Sequence, residues 1–166
     1  MVVLYTVCGG RSVSREKRKD KVVSRKDAQE FGAMAEQRVM GRLSSLGYVV
    51  SPASPNAPYD FVVNGSIRVE VKASRFHPFG NSRGRYQWDF HNQADVLVVL
   101  LVADSVPVYL VMPCWGICRG NMAICQKNPF EYMGKWAFWV ERWDVLENAL
   151  WDMPAGWQIP LFGSCS

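Results

Sequence analysis

Two carboxylates and a lysine lie close together in this sequence, at Asp60, Glu70 and Lys72. Carboxylates that face each other repel unless a cation lies between them. Their oxygens suit Mg²⁺, which keeps several waters and binds through one or two carboxylates together with substrate phosphate. A lysine beside such an ion can orient an attacking water or stabilise the charge that develops on a phosphate. These residue types therefore indicate metal-assisted chemistry on a phosphate ester, provided that the fold brings them together.

The segment that carries these residues, 59–72, alternates between apolar and polar side chains, and only Val62 breaks the even-numbered polar set. An alternation with period two predicts strands that have one buried and one polar face. Asn64-Gly65 in the middle of the segment predicts a hairpin turn. The odd-numbered apolar set is Phe61, Val63, Ile67, Val69 and Val71, and the even-numbered polar set is Asp60, Asn64, Ser66, Arg68, Glu70 and Lys72. We therefore expect two antiparallel strands that bury the odd-numbered set.

The length of the hairpin loop decides whether the two carboxylates can meet. A two-residue turn would place Asp60 and Glu70 on opposite faces of the sheet. A three-residue loop at 63–65, with Gly65 in a left-handed conformation, places Asp60 opposite Arg68 and diagonal to Glu70. Because the apolar pattern requires the odd-length loop, we expect both carboxylates and the lysine on one face, within reach of a shared metal ion.

A helix is predicted immediately before this segment, over residues 27–46. Asp27 is a candidate N-cap, Glu30 is its capping-box partner, and Gly47 ends the helix. The residues that recur at helical spacing are Phe31, Ala35, Val39, Leu43 and Leu46. This spacing predicts a buried stripe along one side of the helix. Glu36 lies beside that stripe, about 100° from Ala35 around the helix axis.

The spacing of the acidic residues and the lysine matches a known motif. Asp60, followed by Glu-Val-Lys at 70–72, resembles the PD-(D/E)XK nuclease superfamily, whose motif is an acidic residue, a spacer and then Asp/Glu-x-Lys. The departure is small, since Pro58 precedes Asp60 by two positions instead of one.

The predicted helix adds a second resemblance. Its run Phe-Gly-Ala-Met-Ala-Glu-Gln-Arg-Val at 31–39, followed by Leu43 and by Leu-Gly-Tyr at 46–48, looks like the first motif of archaeal Holliday junction resolvases and related nucleases. There a helical glutamate projects to the metal site, a role that would fall to Glu36 unless it is an ordinary surface acid. The predicted order of helix, strand, strand with aspartate and strand with Glu-x-Lys is also the core order of the superfamily. The resemblance covers residues 31–74.

The resemblance implies an α/β fold with a restriction-endonuclease-like core, in which a mixed central β-sheet is flanked by helices. It also implies a bound Mg²⁺, which Mn²⁺ can replace. The ion would lie between Asp60 and Glu70, with the backbone carbonyl of Val71 as a third ligand. Glu36 would act at the ion or next to it, and Lys72 would orient the water that attacks phosphorus.

The first basic segment covers residues 11–26, which hold eight Lys or Arg against two acids. The segment carries +6, the difference of eight and two, so the net charge of +4 is concentrated there. A basic arm of this kind suits a phosphate backbone, although it can also be a solvated lead-in to the domain. The expected DNA contacts in the arm are Arg15, Lys17, Arg18, Lys19 and Lys21.

A second basic segment follows the Glu-x-Lys strand, in a predicted loop over residues 75–85. Arg75, Arg83 and Arg85 alternate there with aromatic side chains, which could stack on bases or belong to the core. We expect these arginines to contact DNA phosphates. In many members of the superfamily a polar residue, often glutamine, follows this strand and assists the site. Gln87 is the candidate for that role, with a purely structural role as the alternative.

Four further elements complete the predicted fold. Residues 48–50 form a short first strand. Residues 95–102 are a continuous apolar run and predict a strand buried on both faces. Residues 106–113 predict the next strand, which stops at a proline. The spacing of the tryptophans and leucines near the end predicts a closing helix over about 142–151.

Length and composition fit a globular protein, with 166 residues, 49% of them hydrophobic and 20% charged. We expect a basic arm over 1–26 and a single nuclease-like domain over 27–166. No run reaches the about 18 apolar residues of a membrane span. Residues 1–10 lack the basic start of a signal peptide. These features favour a cytoplasmic or nucleoid-associated protein without a membrane partner.

Three of the five cysteines, Cys114, Cys118 and Cys125, lie close together in the sequence. An odd count in a chain of this kind argues against a disulfide framework. Their spacing lacks the paired knuckles of a zinc site and a clear fourth ligand. We expect free buried thiols, with a structural metal as the alternative.

The sequence therefore predicts a metal-dependent endodeoxyribonuclease that hydrolyses phosphodiester bonds, as in Holliday junction resolvases. Family analogy adds a homodimer with one site for each DNA strand. A site-specific homing or restriction-type endonuclease remains an alternative, as does a flap substrate. So do a DNA-binding protein of the same fold without activity and a metal-binding interaction module built on the cysteines.

Overall fold

The computed structural model describes residues 25–79, 83–91, 93–103, 106–117 and 120–148. The predicted basic arm lies outside these residues, except for its end. The elements in chain order are helix α1 (Arg25–Ser45), strands β1 (Val50–Pro52), β2 (Phe61–Val63), β3 (Ile67–Arg75), β4 (His77–Phe79), β5 (Arg83–Phe90), β6 (Val96–Val102), β7 (Pro107–Pro113) and β8 (Gly120–Ile124), and helix α2 (Val145–Asn148). Short 3₁₀ helices lie at Cys114–Gly116, Pro129–Glu131 and Ala137–Trp139.

The main sheet has five strands in the order β1-β2-β3-β6-β7. β3 and β6 are parallel, and the other neighbouring pairs are antiparallel, so the sheet is mixed. The side chains from Val96 to Leu101 in β6 are fully buried, as the continuous apolar run predicts. α1 packs against β3 and also contacts β1 and β6, while α2 packs against β7. This arrangement confirms the predicted α/β fold with a mixed central sheet.

Helix α1 buries Ala35, Val39 and Leu43, the middle of the predicted stripe. It begins at Arg25, so the prediction of Asp27 as the N-cap is wrong, and Asp27 lies in the first turn. Lys26 forms an exposed i,i+4 ion pair with Glu30 at 3.8 Å, so Glu30 contacts a basic side chain of the first turn. None of the described helices is both long and apolar enough to span a bilayer.

The C-terminus of α1 is closed by Gly47, as predicted. Gly47 has a φ of +90°, which places it in the left-handed region. The Tyr48 N–H donates to the Leu43 carbonyl at 3.1 Å, and the Gly47 N–H donates to the Ser44 carbonyl at 3.0 Å. This is the hydrogen-bond pattern of a Schellman cap. Because Tyr48 completes the cap, the first strand begins two residues later than the predicted 48–50.

The hairpin between β2 and β3 has the predicted three-residue loop, but its position is shifted by one residue. Val63 pairs with Ile67, so the loop is 64–66 and not 63–65. The reason is a long-range contact of Asn64, whose Oδ1 accepts the Val49 N–H at 3.0 Å. The Asn64 N–H donates in turn to the Val49 carbonyl at 2.8 Å. The shift leaves the parity unchanged, and the whole odd-numbered apolar set is buried as predicted.

Arg75 belongs to β3, 77–79 form β4 and 83–85 begin β5, so the prediction of a loop over 75–85 is wrong for these residues, while 80–82 lie outside the described residues. β4, β5 and β8 make a second sheet in that order. Gly84 allows this close pairing, because a β-carbon there would overlap the ring of Phe76. Phe76 also packs edge-to-face on Tyr86, with ring centroids 5.3 Å apart. The glycine therefore permits close packing of the hairpin instead of giving the segment mobility.

The last described helix, α2, begins at Val145 and not at the predicted residue 142. The backbone before it is irregular, since Glu141 has a φ of +55°. Glu141 is held there by Tyr109 at the edge strand β7, donating its N–H to the Tyr109 carbonyl at 2.8 Å and accepting the Tyr109 N–H at 3.2 Å. These bonds prevent the helix from starting earlier. The part of the predicted helix after Asn148 lies outside the described residues.

Candidate active site

Asp60 lies immediately before β2 and is bound to β3 by two hydrogen bonds. Its N–H donates to the carbonyl of Val69 at 2.9 Å, although the register partner of Val69 is Phe61. Its Oδ2 accepts the backbone N–H of Val71 at 2.6 Å. The chain thus leaves the regular ladder at Asp60, and the carboxylate takes the place of a main-chain acceptor. This arrangement holds the carboxylate against the segment that carries Glu70 and Lys72.

Glu70 and Lys72 share one face of β3, because residues two apart on a strand point the same way. Glu70 Oε1 and Lys72 Nζ form an ion pair at 2.7 Å. The side chain of Glu70 is only 5% exposed, whereas that of Lys72 is 31% exposed. The strand therefore places the carboxylate of Glu70 in the interior and the ammonium group of Lys72 near the protein surface.

The second carboxylate oxygen of Glu70 has no hydrogen-bond partner among the described residues. This atom, Oε2, is buried from solvent. A buried acceptor without a partner costs about 1–3 kcal/mol and more when it is charged. Such atoms mark places where an ion, a water or a ligand completes the structure. The donor set of Glu70 and its neighbour Asp60 therefore fits a hard divalent cation.

Val71 contributes its backbone to the same place. The N–H and C=O of one strand residue point to the same neighbouring strand. The N–H of Val71 points to Asp60, so its carbonyl points to that side too, beyond the last paired residue of β2, Phe61. The role of this carbonyl as a third metal ligand stays a prediction.

Glu36 lies one residue after the buried Ala35 on α1, and its side chain is partly buried. Loss of solvation raises the pKa of Glu36, the carboxylate of Asp60 raises it further, and the ammonium of Lys72 lowers it. Glu36 is thus within electrostatic reach of both β-strand residues. No three Asp, Glu, His or Cys side chains of the described ranges converge closely enough to bind one ion. Glu36 therefore lies near the carboxylates of Asp60 and Glu70 without forming a three-ligand group with them.

Gln87 lies on β5, and its backbone N–H donates to the Oγ of Ser74 at 2.8 Å. Ser74 follows Lys72 by two positions on β3 and is almost completely buried. The side chain of Gln87 is half-buried, and no hydrogen bond within the described residues joins its amide to Glu70. The structure thus brings Gln87 to the end of the active strand through its backbone. Sequence reasoning missed Ser74, although its even-numbered position next to the motif was a signal.

The predicted DNA-binding arginines of the second basic segment differ in their surroundings. The guanidinium of Arg75 stacks on the ring of Phe31 in α1, 4.1 Å from its centroid. That of Arg85 lies 5.9 Å from the ring centroid of Phe79. Both arginines are exposed and remain accessible to an anion. The predicted contacts outside the described side chains are Arg15, Lys17, Arg18, Lys19, Lys21 and Arg83.

Arg68 and Asp95 form a strong pair that the sequence did not indicate. The carboxylate of Asp95 accepts the Arg68 N–H at 2.8 Å, Nε at 3.0 Å and Nη2 at 2.6 Å. The Asp95 N–H donates to the Arg68 carbonyl at 2.9 Å. The hydrogen bonds from Arg68 hold the pKa of Asp95 below its usual range. The pair fixes the start of the parallel pairing between β3 and β6, two residues before Glu70.

The clustered cysteines do not share one environment. Cys114 is buried and Cys125 is exposed, and both are free thiols, while Cys118 lies outside the described residues. Burial raises the pKa of Cys114 to about 12, with further contributions from the carboxylates of Glu70 and Asp95. Cys114 is therefore a neutral thiol within electrostatic reach of Glu70. The expectation of a buried thiol holds for Cys114 and is wrong for Cys125.

Comparison with known proteins identifies the fold. No family model matches the chain, and no curated protein matches it significantly. Among solved structures, the bacterial homing endonuclease I-Ssp6803I matches with a TM-score of 0.57 and 16% sequence identity. The match covers 71% of this chain and 91% of that protein. At this level of identity the similarity shows a shared fold.

Proposed function

We propose that this protein is a Mg²⁺-dependent endodeoxyribonuclease with a PD-(D/E)XK site, in which Mn²⁺ can replace Mg²⁺. The observation that supports this most directly is the buried carboxylate of Glu70, with one oxygen on Lys72 and the other without a partner. A purely structural ion pair at a strand would place both oxygens on donors or in solvent. Asp60, held next to it, supplies the second carboxylate.

The ion would be held by Asp60, Glu70 and the carbonyl of Val71, together with waters and a phosphate oxygen of the substrate. When bound, it would supply positive charge that stabilises the phosphate as negative charge develops on it. Lys72, at the mouth of the site, would donate hydrogen bonds to the attacking water and hold it in line with phosphorus. The carboxylate of Glu36 would balance the charge of the lysine from the helix side.

DNA is the substrate that the charge distribution favours. The net charge is +4, and Arg75 and Arg85 lie exposed at the end of the active strand and on the hairpin that follows it. The solved structure described above, which has a similar fold, is that of a bacterial homing endonuclease, and this also supports DNA as the substrate. We keep a four-way junction as the first substrate to test. The homing endonuclease favours a specific duplex site as the second.

The test is cleavage of supercoiled plasmid and of a panel containing a four-way junction, a flap and linear duplexes. We expect nicking with Mg²⁺ or Mn²⁺, none with EDTA, and none with Glu70→Gln, which keeps the shape of the side chain and removes its charge. Calorimetry should show Mg²⁺ binding to the wild type and not to Glu70→Gln. Cleavage by Glu70→Gln at the wild-type rate would exclude the proposed site. Binding of DNA without cleavage by the wild type would instead indicate a DNA-binding protein of this fold.

The proposal has two further parts, the oligomeric state and the location of the protein. A homodimer would supply one site for each strand. Light scattering of the protein alone and bound to DNA would show whether two copies are present. A DNA substrate also fits the expected cytoplasmic or nucleoid location.

A further inference from the structure

Ser74 joins the two sheets of the protein at the end of the active strand. β3 belongs to the five-stranded sheet and β5 to the three-stranded sheet, and no strand ladder pairs them in the described residues. The Oγ of Ser74 accepts the Gln87 N–H at 2.8 Å and donates to the Arg75 carbonyl at 3.3 Å. Ser74 is 3% exposed, so this hydroxyl is protected from competing water.

The position of Ser74 on β3 places its hydrogen bond to Gln87 close to the candidate site. Glu70, Lys72 and Ser74 occupy every second position of β3 and therefore share one face. On the other side of the joint, Gln87 lies two residues after the exposed Arg85 on β5. The hydrogen bond thus connects the strand that carries the carboxylate and the lysine to a strand that carries an accessible cation.

The apolar contacts between the sheets cannot replace this bond as a positioning device. Tyr86, Trp88 and Phe90 are the buried side chains of β5, and they pack into the common core. Burial of apolar surface is not directional, so it holds β5 near β3 without fixing its angle. A hydrogen bond of 2.8 Å restricts both distance and direction. β4 follows β3 after one residue, so the chain itself attaches the second sheet at the end of β3, and the Ser74 bond fixes how β5 lies against that strand.

We propose that Ser74 is a positioning residue, whose hydroxyl fixes the β4-β5-β8 sheet relative to the active strand. A phosphate bound by Arg85 is thereby held in register with Glu70 and Lys72. This inference rests on the proposed endonuclease function. It differs from that function because Ser74 touches neither the ion nor the substrate, and acts through the backbone of Gln87.

The kinetic test compares Ser74→Ala with Ser74→Thr in single-turnover cleavage. Loss of the hydroxyl should lower the rate at saturating protein by about 10-fold or more, because small misplacements of a reacting group are costly. The half-saturating protein concentration and the salt dependence of DNA binding should change by less than about 3-fold, since Arg85 and the other phosphate contacts remain. Ser74→Thr keeps the hydroxyl and should recover at least half of the rate. Ser66→Ala, in the exposed hairpin loop, is the matched control and should cut like the wild type.

Hydrogen exchange tests the hydrogen bond between Gln87 and Ser74 without requiring DNA cleavage. In Ser74→Ala the Gln87 amide should exchange at least about 10-fold faster, while amides in the centre of β6 keep their protection. Unchanged exchange at Gln87 would overturn the proposal, and so would a wild-type rate of cleavage by Ser74→Ala. Equal loss of rate in the alanine and threonine variants would also overturn it. If the wild type cuts no DNA, the endonuclease proposal fails, and the exchange experiment still decides whether Ser74 holds the second sheet.

Discussion

Replacing Lys72 by methionine tests whether this lysine takes part in catalysis or is only a surface side chain of the strand. Methionine keeps most of the length and the apolar stem of lysine and removes the ammonium group. In the folded protein that group lies 2.7 Å from Glu70 Oε1, and the other oxygen of Glu70 already lacks a partner. Lys72→Met would therefore leave a buried carboxylate with no partner at either of its two oxygens. The same change should affect stability, metal binding and catalysis in three different ways.

The expected loss of stability follows from the burial of the two partners. Removing one partner of a fully buried ion pair costs about 3–5 kcal/mol, because the other charge remains buried without compensation. The side chain of Lys72 is 31% exposed, so solvent screens part of the interaction. We therefore expect Lys72→Met to lower the free energy of unfolding by about 2 kcal/mol in EDTA. A lysine that only decorated an exposed strand would give a change within about 0.5 kcal/mol.

Metal should reverse most of this loss. The variant keeps both carboxylates and loses a neighbouring positive charge, so its affinity for Mg²⁺ should rise. An ion present at 100 times its dissociation constant stabilises the folded state by about 2.7 kcal/mol. Cleavage should nevertheless fall by about 10²-fold or more, as expected for the loss of one preorganised charged donor. The variant should thus be folded and bind Mg²⁺ and DNA, and it should fail to cut.

The assays are urea unfolding with EDTA and with saturating Mg²⁺, calorimetry of Mg²⁺ binding, and single-turnover cleavage. The control is the double variant Glu70→Gln with Lys72→Met, which removes the buried charge together with its partner and should be more stable than Lys72→Met alone. A Lys72→Met variant that cuts at the wild-type rate would remove the lysine from the mechanism. Loss of Mg²⁺ binding in this variant would show that Lys72 only maintains the structure of the site.

Three other predictions test separate parts of the molecule. Asp60→Ala should abolish cleavage while DNA binding stays the same or becomes tighter, as measured by gel shift, because repulsion of the phosphate backbone decreases; wild-type cleavage would contradict the site. Deletion of residues 1–24 should weaken binding to all DNAs alike and reduce the slope of log Kd against log salt, whereas an unchanged slope would make the arm a lead-in. Asp95→Ala should lower the free energy of unfolding at pH 7 by about 1–3 kcal/mol through loss of the bonds to Arg68. Because the pKa of Asp95 is lowered in the folded state, this contribution is complete above the unfolded pKa of about 4 and disappears as the pH falls through the folded pKa. Urea unfolding of the wild type and of Asp95→Ala at pH 7 and pH 3 checks this. The same difference in free energy of unfolding at both pH values would contradict the reasoning.

Local patterns in the sequence were sufficient to predict the elements that carry the site. The alternation of side chains over 59–72 predicts which face is buried, because a strand has only two faces. The glycine after α1 predicts the end of the helix, because the left-handed position of the cap disfavours residues with a β-carbon. The apolar run in β6 predicts a strand covered on both sides. Each of these signals lies within a few residues of the structure that it determines.

The features that the sequence did not predict depend on contacts between distant residues. The hairpin loop lies one position later than expected because Asn64 binds the backbone of Val49. The segment after Arg75 forms strands because β8, far along the chain, pairs with β5. A pattern within one segment contains no information on such partners, so register and sheet membership are the first properties to be missed.

Glu70 shows what the fold adds to the motif that the sequence contains. A strand that buries Val69 and Val71 on one face and carries Glu70 on the other reads as an ordinary half-exposed strand. In the folded protein the Glu70 side is covered too, so its carboxylate is buried and one of its oxygens has no partner. Hydrophobic residues of similar size would stabilise the same position more. A buried charge that lowers stability is expected where function requires it. Here the function of the charge would be to bind a metal ion.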